Sequence, residues 1–154
     1  MTTTRRALIF AAMAIPVFGT ILRPALAAEP EVYAPGGVAI SGYDAVAYFI
    51  EGRPVPGRAE YALKWHGATW YFANAETMEA FEMNPAAYAP RYGGYCAYAM
   101  SKGAVAPTVP EAFTVHDGQL YLNFSTEVRT IWSRDIPGNI ALADAHWPTA
   151  LTRK

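Results

Sequence analysis

Residues 71–88, Tyr-Phe-Ala-Asn-Ala-Glu-Thr-Met-Glu-Ala-Phe-Glu-Met-Asn-Pro-Ala-Ala-Tyr, constrain the fold more than any other stretch of the chain. An aromatic strand ends at Phe72, and Asn74 follows where a helix needs a side-chain oxygen for its first free amides. Glu76 adds negative charge in the first turn, where the helix dipole favours it. Met78, Phe81 and Glu82 belong to the helix that follows. Asn84-Pro85 ends it, because the residue before a proline is pushed out of the α region. A strand that runs straight into a capped helix needs a partner strand and a core beneath both.

The partner lies just upstream. Tyr61, Leu63 and Trp65 precede His66-Gly67, and Thr69, Trp70, Tyr71 and Phe72 return, which reads as a β-hairpin closed on a glycine turn. A second hairpin spans Ala112 to Phe124, with Phe113 and Val115 pairing with Leu120 and Leu122 across His116-Asp117-Gly118-Gln119. Asp44 to Phe49 fits a short strand or a helical turn, and Gly52 to Gly57 a loop. Tyr33 to Gly42, rich in Gly and Pro, reads as a surface lead-in. A short helix is expected to leave the Gly93-Gly94 turn. Another, capped by Ser125 or Thr126, presents Val128, Ile131 and Trp132 on one face. Ile136-Pro137-Gly138 is expected to break it, and Ile140 to Trp147 to pack back. Two hairpins with three or four short helices make a small α+β domain, placed at residues 32–151.

Residues 1–27 carry the pattern of a cleaved leader. Arg5 and Arg6 precede an apolar run from Ala7 to Leu22, and Ala25-Leu26-Ala27 supplies the small-x-small cleavage pattern. Thr4-Arg5-Arg6-Ala7-Leu8-Ile9 has the form of a twin-arginine signal. The expectation is export to the periplasm or outside the cell, with no membrane anchor left after cleavage. Removing Arg5, Arg6 and Arg23 takes the formal charge from −1 to −4. That balance argues against nucleic acid or anionic lipid as a partner, since both reward clustered Lys and Arg. With one cysteine, Cys96, no internal disulfide can form, so aromatic packing must hold the fold.

Several segments resemble one known family. They are Gly42-Tyr43-Asp44-Ala45-Val46-Ala47-Tyr48-Phe49, Gly67-Ala68-Thr69-Trp70-Tyr71-Phe72 and Asn84-Pro85-Ala86-Ala87-Tyr88. Further along come Tyr92-Gly93-Gly94-Tyr95-Cys96-Ala97-Tyr98 and Asp117-Gly118-Gln119-Leu120-Tyr121-Leu122-Asn123. In order and spacing they are similar to the exported, single-domain branch of YHS-domain proteins. The resemblance implies a soluble, non-enzymatic binding module for a soft metal ion such as copper. Metal-type members place cysteines where this chain has Ala47, Ala73 and Thr77, and the naming Tyr-His-Ser triplet survives only as Tyr61. Alanine has no lone pair and a lone hydroxyl is a poor ligand for a soft ion.

Three readings follow for the site. Cys96 and Met100, four residues apart, put two sulfurs on one helix face, with His116 as a third metal ligand; soft sulfur donors suit Cu(I). Alternatively, Cys96 is a small buried hydrophobe, and the module binds a small molecule or a protein partner without metal. A tyrosine-lined cleft around Cys96 and Asp44, with Tyr43 and Tyr95, would serve that reading. Asp44, in its apolar setting, is either a ligand or an acid satisfied by backbone amides that fixes its loop. The third reading is an enzyme that uses Cys96 as a thiol nucleophile. His66 and His116 sit at hairpin tips, and His146 reads as structural. No Cys-x-x-Cys or His-x-x-x-His pair, nucleophile elbow or phosphate-binding loop is present.

Overall fold

Strands β1 (Arg58–Trp65) and β2 (Ala68–Phe72) form the first hairpin, and β3 (Phe113–His116) and β4 (Gln119–Leu122) the second, each a separate antiparallel pair. The structure is a computed structural model that describes residues 27–152. The leader read at residues 1–27 lies outside them apart from Ala27. Both hairpins close on two residues with positive φ, His66 (48°) with Gly67 (76°) and Asp117 (47°) with Gly118 (71°). This is the turn whose twist matches that of the strands. Trp65 pairs with Ala68 and Leu63 with Trp70, while Phe113 pairs with Leu122 and Val115 with Leu120.

Six short helices accompany the hairpins: α1 (Ala47–Ile50), α2 (Ala75–Met83), α3 (Pro85–Tyr88), α4 (Ala97–Ser101), α5 (Thr126–Trp132) and α6 (Ile136–His146). Together they make a small α+β domain, with more helices than expected because α1 and α3 are single turns. Asn74 caps α2 through its side-chain oxygen, which accepts the Thr77 amide at 2.9 Å. Ser125 caps α5 in the same way through Val128, at 3.1 Å. Asn84 ends α2, and Pro85 opens α3 immediately, since a proline costs nothing at the first position of a helix.

The core has two parts that share one wall. Trp70, Phe72, Phe81, Tyr48 and Val46 fill the first, together with Leu120 and Leu122 of β4. Tyr121, between those leucines, points the other way and joins Tyr92, Met100 and Trp132 in the second. Alternation along a strand sends successive side chains to opposite faces, so β4 serves both cores and is buried on each.

Four expectations are corrected. Residues 33–42 are not a surface lead-in: Ala39 and Ile40 are buried, and 3-10 turns bring Val38 against Thr69 of β2. The Tyr33 amide donates to the Gly93 carbonyl at 2.8 Å and locks this segment down. Helix α4 does not leave the glycine turn; Gly93 and Gly94 have positive φ, and the helix starts only at Ala97. Ile136-Pro137-Gly138 opens α6 instead of breaking it. Asp135 accepts the Gly138 amide at 3.0 Å, and Pro137 sits in a first turn that lacks amide partners anyway. On α5, Trp132 is buried while Ile131 is 40% exposed, so the expected apolar face narrows to Trp132 with Val128 half-buried.

Candidate functional site

The residues singled out from sequence fall into separate places. Asp44 is fully buried and spends both oxygens on backbone amides: Oδ1 accepts Val46 at 2.8 Å and Ala47 at 3.2 Å, and Oδ2 accepts Ala73 at 2.9 Å. It starts α1 and ties that turn to the end of β2. Of the two roles open to it, the geometry is that of the loop-fixing acid. Ala47 and Ala73 thus meet around one carboxylate, and Thr77 turns its hydroxyl to the Asn74 carbonyl at 3.2 Å. These three positions supply no soft donor, and the adjacent carboxylate is already taken up by amides. They do not fit a soft metal ion.

Cys96 is the residue before α4 and is 1% exposed. Its Sγ accepts the Ala99 amide at 3.4 Å and the Phe124 amide at 3.3 Å, and the thiol donates to Asn123 Oδ1 at 3.5 Å. Asn123 Oδ1 also accepts the Tyr98 amide at 3.1 Å. The cysteine therefore caps a short helix and fastens it to the end of β4. Met100 lies inside the second core, beyond solvent. His116 ends β3 at the hairpin tip, 3.3 Å from Asp117. Cys96 bridges Leu122, three strand residues from the Gln119 that pairs with His116, a separation of about 10 Å. Among the described residues no three of His, Cys, Asp and Glu gather as a metal would require.

Tyr43 is half-buried and pairs with Pro56. Tyr95 donates its hydroxyl to the Pro30 carbonyl at 2.9 Å and stacks near Tyr33, with centroids 5.6 Å apart. Burial raises the Tyr95 hydroxyl pKa. Tyr33 and Tyr95, with Pro30 and Pro107, line a depression of about 300 Å³. Tyr43, Asp44 and Cys96 are not part of it, so this depression is not the cleft expected around them.

A second surface cleft lies elsewhere. Its volume is about 180 Å³, and it is framed by Trp65, His66 and Trp70 from the first hairpin and by Gln119 from the second. Arg91 and Trp147 close it, and Glu31 of the N-terminal segment forms the rim. Glu31 Oε1 lies 2.8 Å from His66 Nδ1, and the His66 ring sits 3.9 Å from that of Trp65. The Trp70 indole is fixed by donating to the Trp65 carbonyl at 3.0 Å. Gly93 has φ 62°, and a Cβ there would run into the Glu31 carbonyl and stand 3.2 Å from the Trp147 ring. Only glycine lets the rim approach so closely.

Behind the cleft, Arg91 donates to Asp144 at 3.0 Å, and Tyr92 donates its hydroxyl to the same oxygen at 2.9 Å. Burial raises the Tyr92 pKa, and the Asp144 hydrogen bond and charge raise it further. Sequence reading missed this cleft because its residues come from positions 31, 65–70, 91–93, 119 and 147, which no local pattern connects. The glycine pair at 93–94 was the one visible sign of a close backbone approach.

Residues 46–92, from the cap of α1 through α3 to Tyr92, match the family model for the YHS domain, which covers under a third of the chain. No curated protein and no solved structure gives a significant match.

Proposed function

We propose that this YHS-domain chain is an exported binding module that holds a small organic molecule, and not a soft metal ion, in the cleft between Glu31, Trp65, Arg91 and Trp147. Export is supported by the charged, apolar and small-residue pattern of residues 1–27. The carrying observation is the convergence of three tryptophans with an acid, a histidine, an arginine and a glutamine from five separate parts of the chain. Apolar walls with a few convergent polar groups are the usual composition of a ligand site. The modest volume suits a metabolite-sized ligand and not a large cofactor.

The metal-free reading is favoured over copper by the state of the sulfur atoms. Cys96 is committed to two amides and Asn123, and Met100 is sealed in the core. Cu(I) and Zn(II) titration of the purified protein under reducing conditions, beside Cys96→Ala, separates the two. No sub-micromolar uptake of either ion is expected. Sub-micromolar copper binding that vanishes in Cys96→Ala would return the site to the sulfur pair. A thiol-enzyme reading would need Cys96 to react quickly with a thiol label in the folded protein, whereas its burial predicts labelling only on unfolding.

A further inference from the structure

We infer that this cleft takes a small organic cation, of the alkylammonium class, with Glu31 as counter-ion and the indoles of Trp65 and Trp147 as walls. The inference rests on reading the cleft as a small-molecule site and adds the charge of the ligand.

The first support is the charge balance of the lining, which holds one acid and one arginine. The arginine's charge is paired at Nη2, 3.0 Å from Asp144, a residue outside the lining, and its Cζ lies 5.6 Å from the centroid of the Tyr92 ring, while its Nε is buried without a hydrogen-bond partner. Glu31 has only His66 beside it, at 2.8 Å. A neutral imidazole can hold a carboxylate by donating one N–H and leave its charge uncancelled. Glu31 is thus the carboxylate of the lining that no lysine or arginine pairs with among the described residues.

The second support is the nature of the walls. Indole faces carry negative quadrupole density and attract alkylammonium groups, the more so where water is thinned out. Glu31 is close to both indoles: its side chain meets His66 next to Trp65, and its carbonyl lies against Gly93, where an added Cβ would also stand 3.2 Å from the Trp147 ring. The third support is the surroundings. Two neighbouring depressions carry Glu29 on their rims with Tyr33, Tyr95 or Trp147, and neither has a basic residue in its lining. At these two depressions a cation meets aromatic rings and carboxylates.

The test is an NMR titration that follows the indole resonances of Trp65 and Trp147. Choline, its neutral carbon isostere 3,3-dimethylbutan-1-ol and glucose are added in parallel to the purified protein. Choline should give saturable shifts at both indoles, with the isostere roughly five- to tenfold weaker. Glu31→Gln should reduce choline to the level of the isostere without lowering the melting temperature, because the Glu31 side chain is 58% exposed and its backbone contacts remain. Equal binding of choline and its isostere, binding of glucose alone, or choline binding unchanged in Glu31→Gln overturns the cation inference and leaves the small-molecule cleft standing. No response at Trp65 and Trp147 to any of the three overturns the cleft reading itself.

Discussion

At the scale of single residues, two buried polar groups hold the frame on which the cleft rests. Asp44 satisfies two buried amides and one part-buried amide from two elements, so its loss would leave all three without their acceptor. Each such orphan costs about 1–3 kcal/mol. Asp44→Ala is therefore expected to lower the unfolding free energy by about 3 kcal/mol or more in urea titrations. Asp44→Asn keeps the shape but replaces one acceptor with an NH₂ donor, and should lose clearly less. Equal losses for the two would mean that the carboxylate matters for charge and not for its count of acceptors. Cys96 is the second such group, and its apolar company and one-residue abundance made it legible as buried. Its role as a helix cap was not, because cysteine is a weak acceptor and ranks low among capping residues.

At the scale of elements, the turns were the most readable parts. His66-Gly67 and Asp117-Gly118 stand between alternating apolar residues, and both adopt the paired positive-φ turn that this chemistry favours. Asn74 and Ser125 cap α2 and α5 where polar side chains precede apolar periodicity. Where the reading failed, proline and glycine had two uses. Pro137 reads equally well as a helix breaker or as a first-turn residue, and only the Asp135 cap decides for the second. Glycines divide in the same way. Gly118 has φ 71° and open space around it, so Gly118→Ala should cost only the left-handed strain, about 1–2 kcal/mol. Gly93→Ala meets the Glu31 carbonyl as well, and should cost clearly more while displacing the rim of the cleft. Thermal melts, together with the His66 imidazole NMR shift as a reporter of Glu31, check the pair. A Gly93→Ala protein with Gly118→Ala stability and an unchanged His66 signal would contradict the close approach described above.

At the scale of the molecule, β4 joins two cores, with leucines on one face and Tyr121 on the other. Much of the interior is tyrosine, and burial raises the pKa of Tyr48, Tyr92, Tyr95 and Tyr121. In the unfolded chain these hydroxyls titrate near their ordinary value of about 10. The folded state holds the proton more tightly, so its stability is fully present below about pH 10 and is lost as pH rises above that value. The urea midpoint should stay level from roughly pH 7 to 9 and fall beyond about pH 10. Tyr92→Phe, which removes a hydroxyl held by Asp144, should make that fall shallower. An alkaline slope unchanged in Tyr92→Phe would show that this tyrosine is not among the groups responsible.

The local sequence by itself determined the two hairpins, the caps of α2 and α5 and the α+β class. Each of these follows from interactions between residues close in the chain. Tertiary structure alone decided the rest. It folded residues 33–42 into the core, turned β4 into a wall shared by two cores, and drew Glu31, Trp65, Arg91, Gln119 and Trp147 into one cleft. A cleft of that kind arises where distant segments pack against each other, and packing leaves no period or spacing in the sequence.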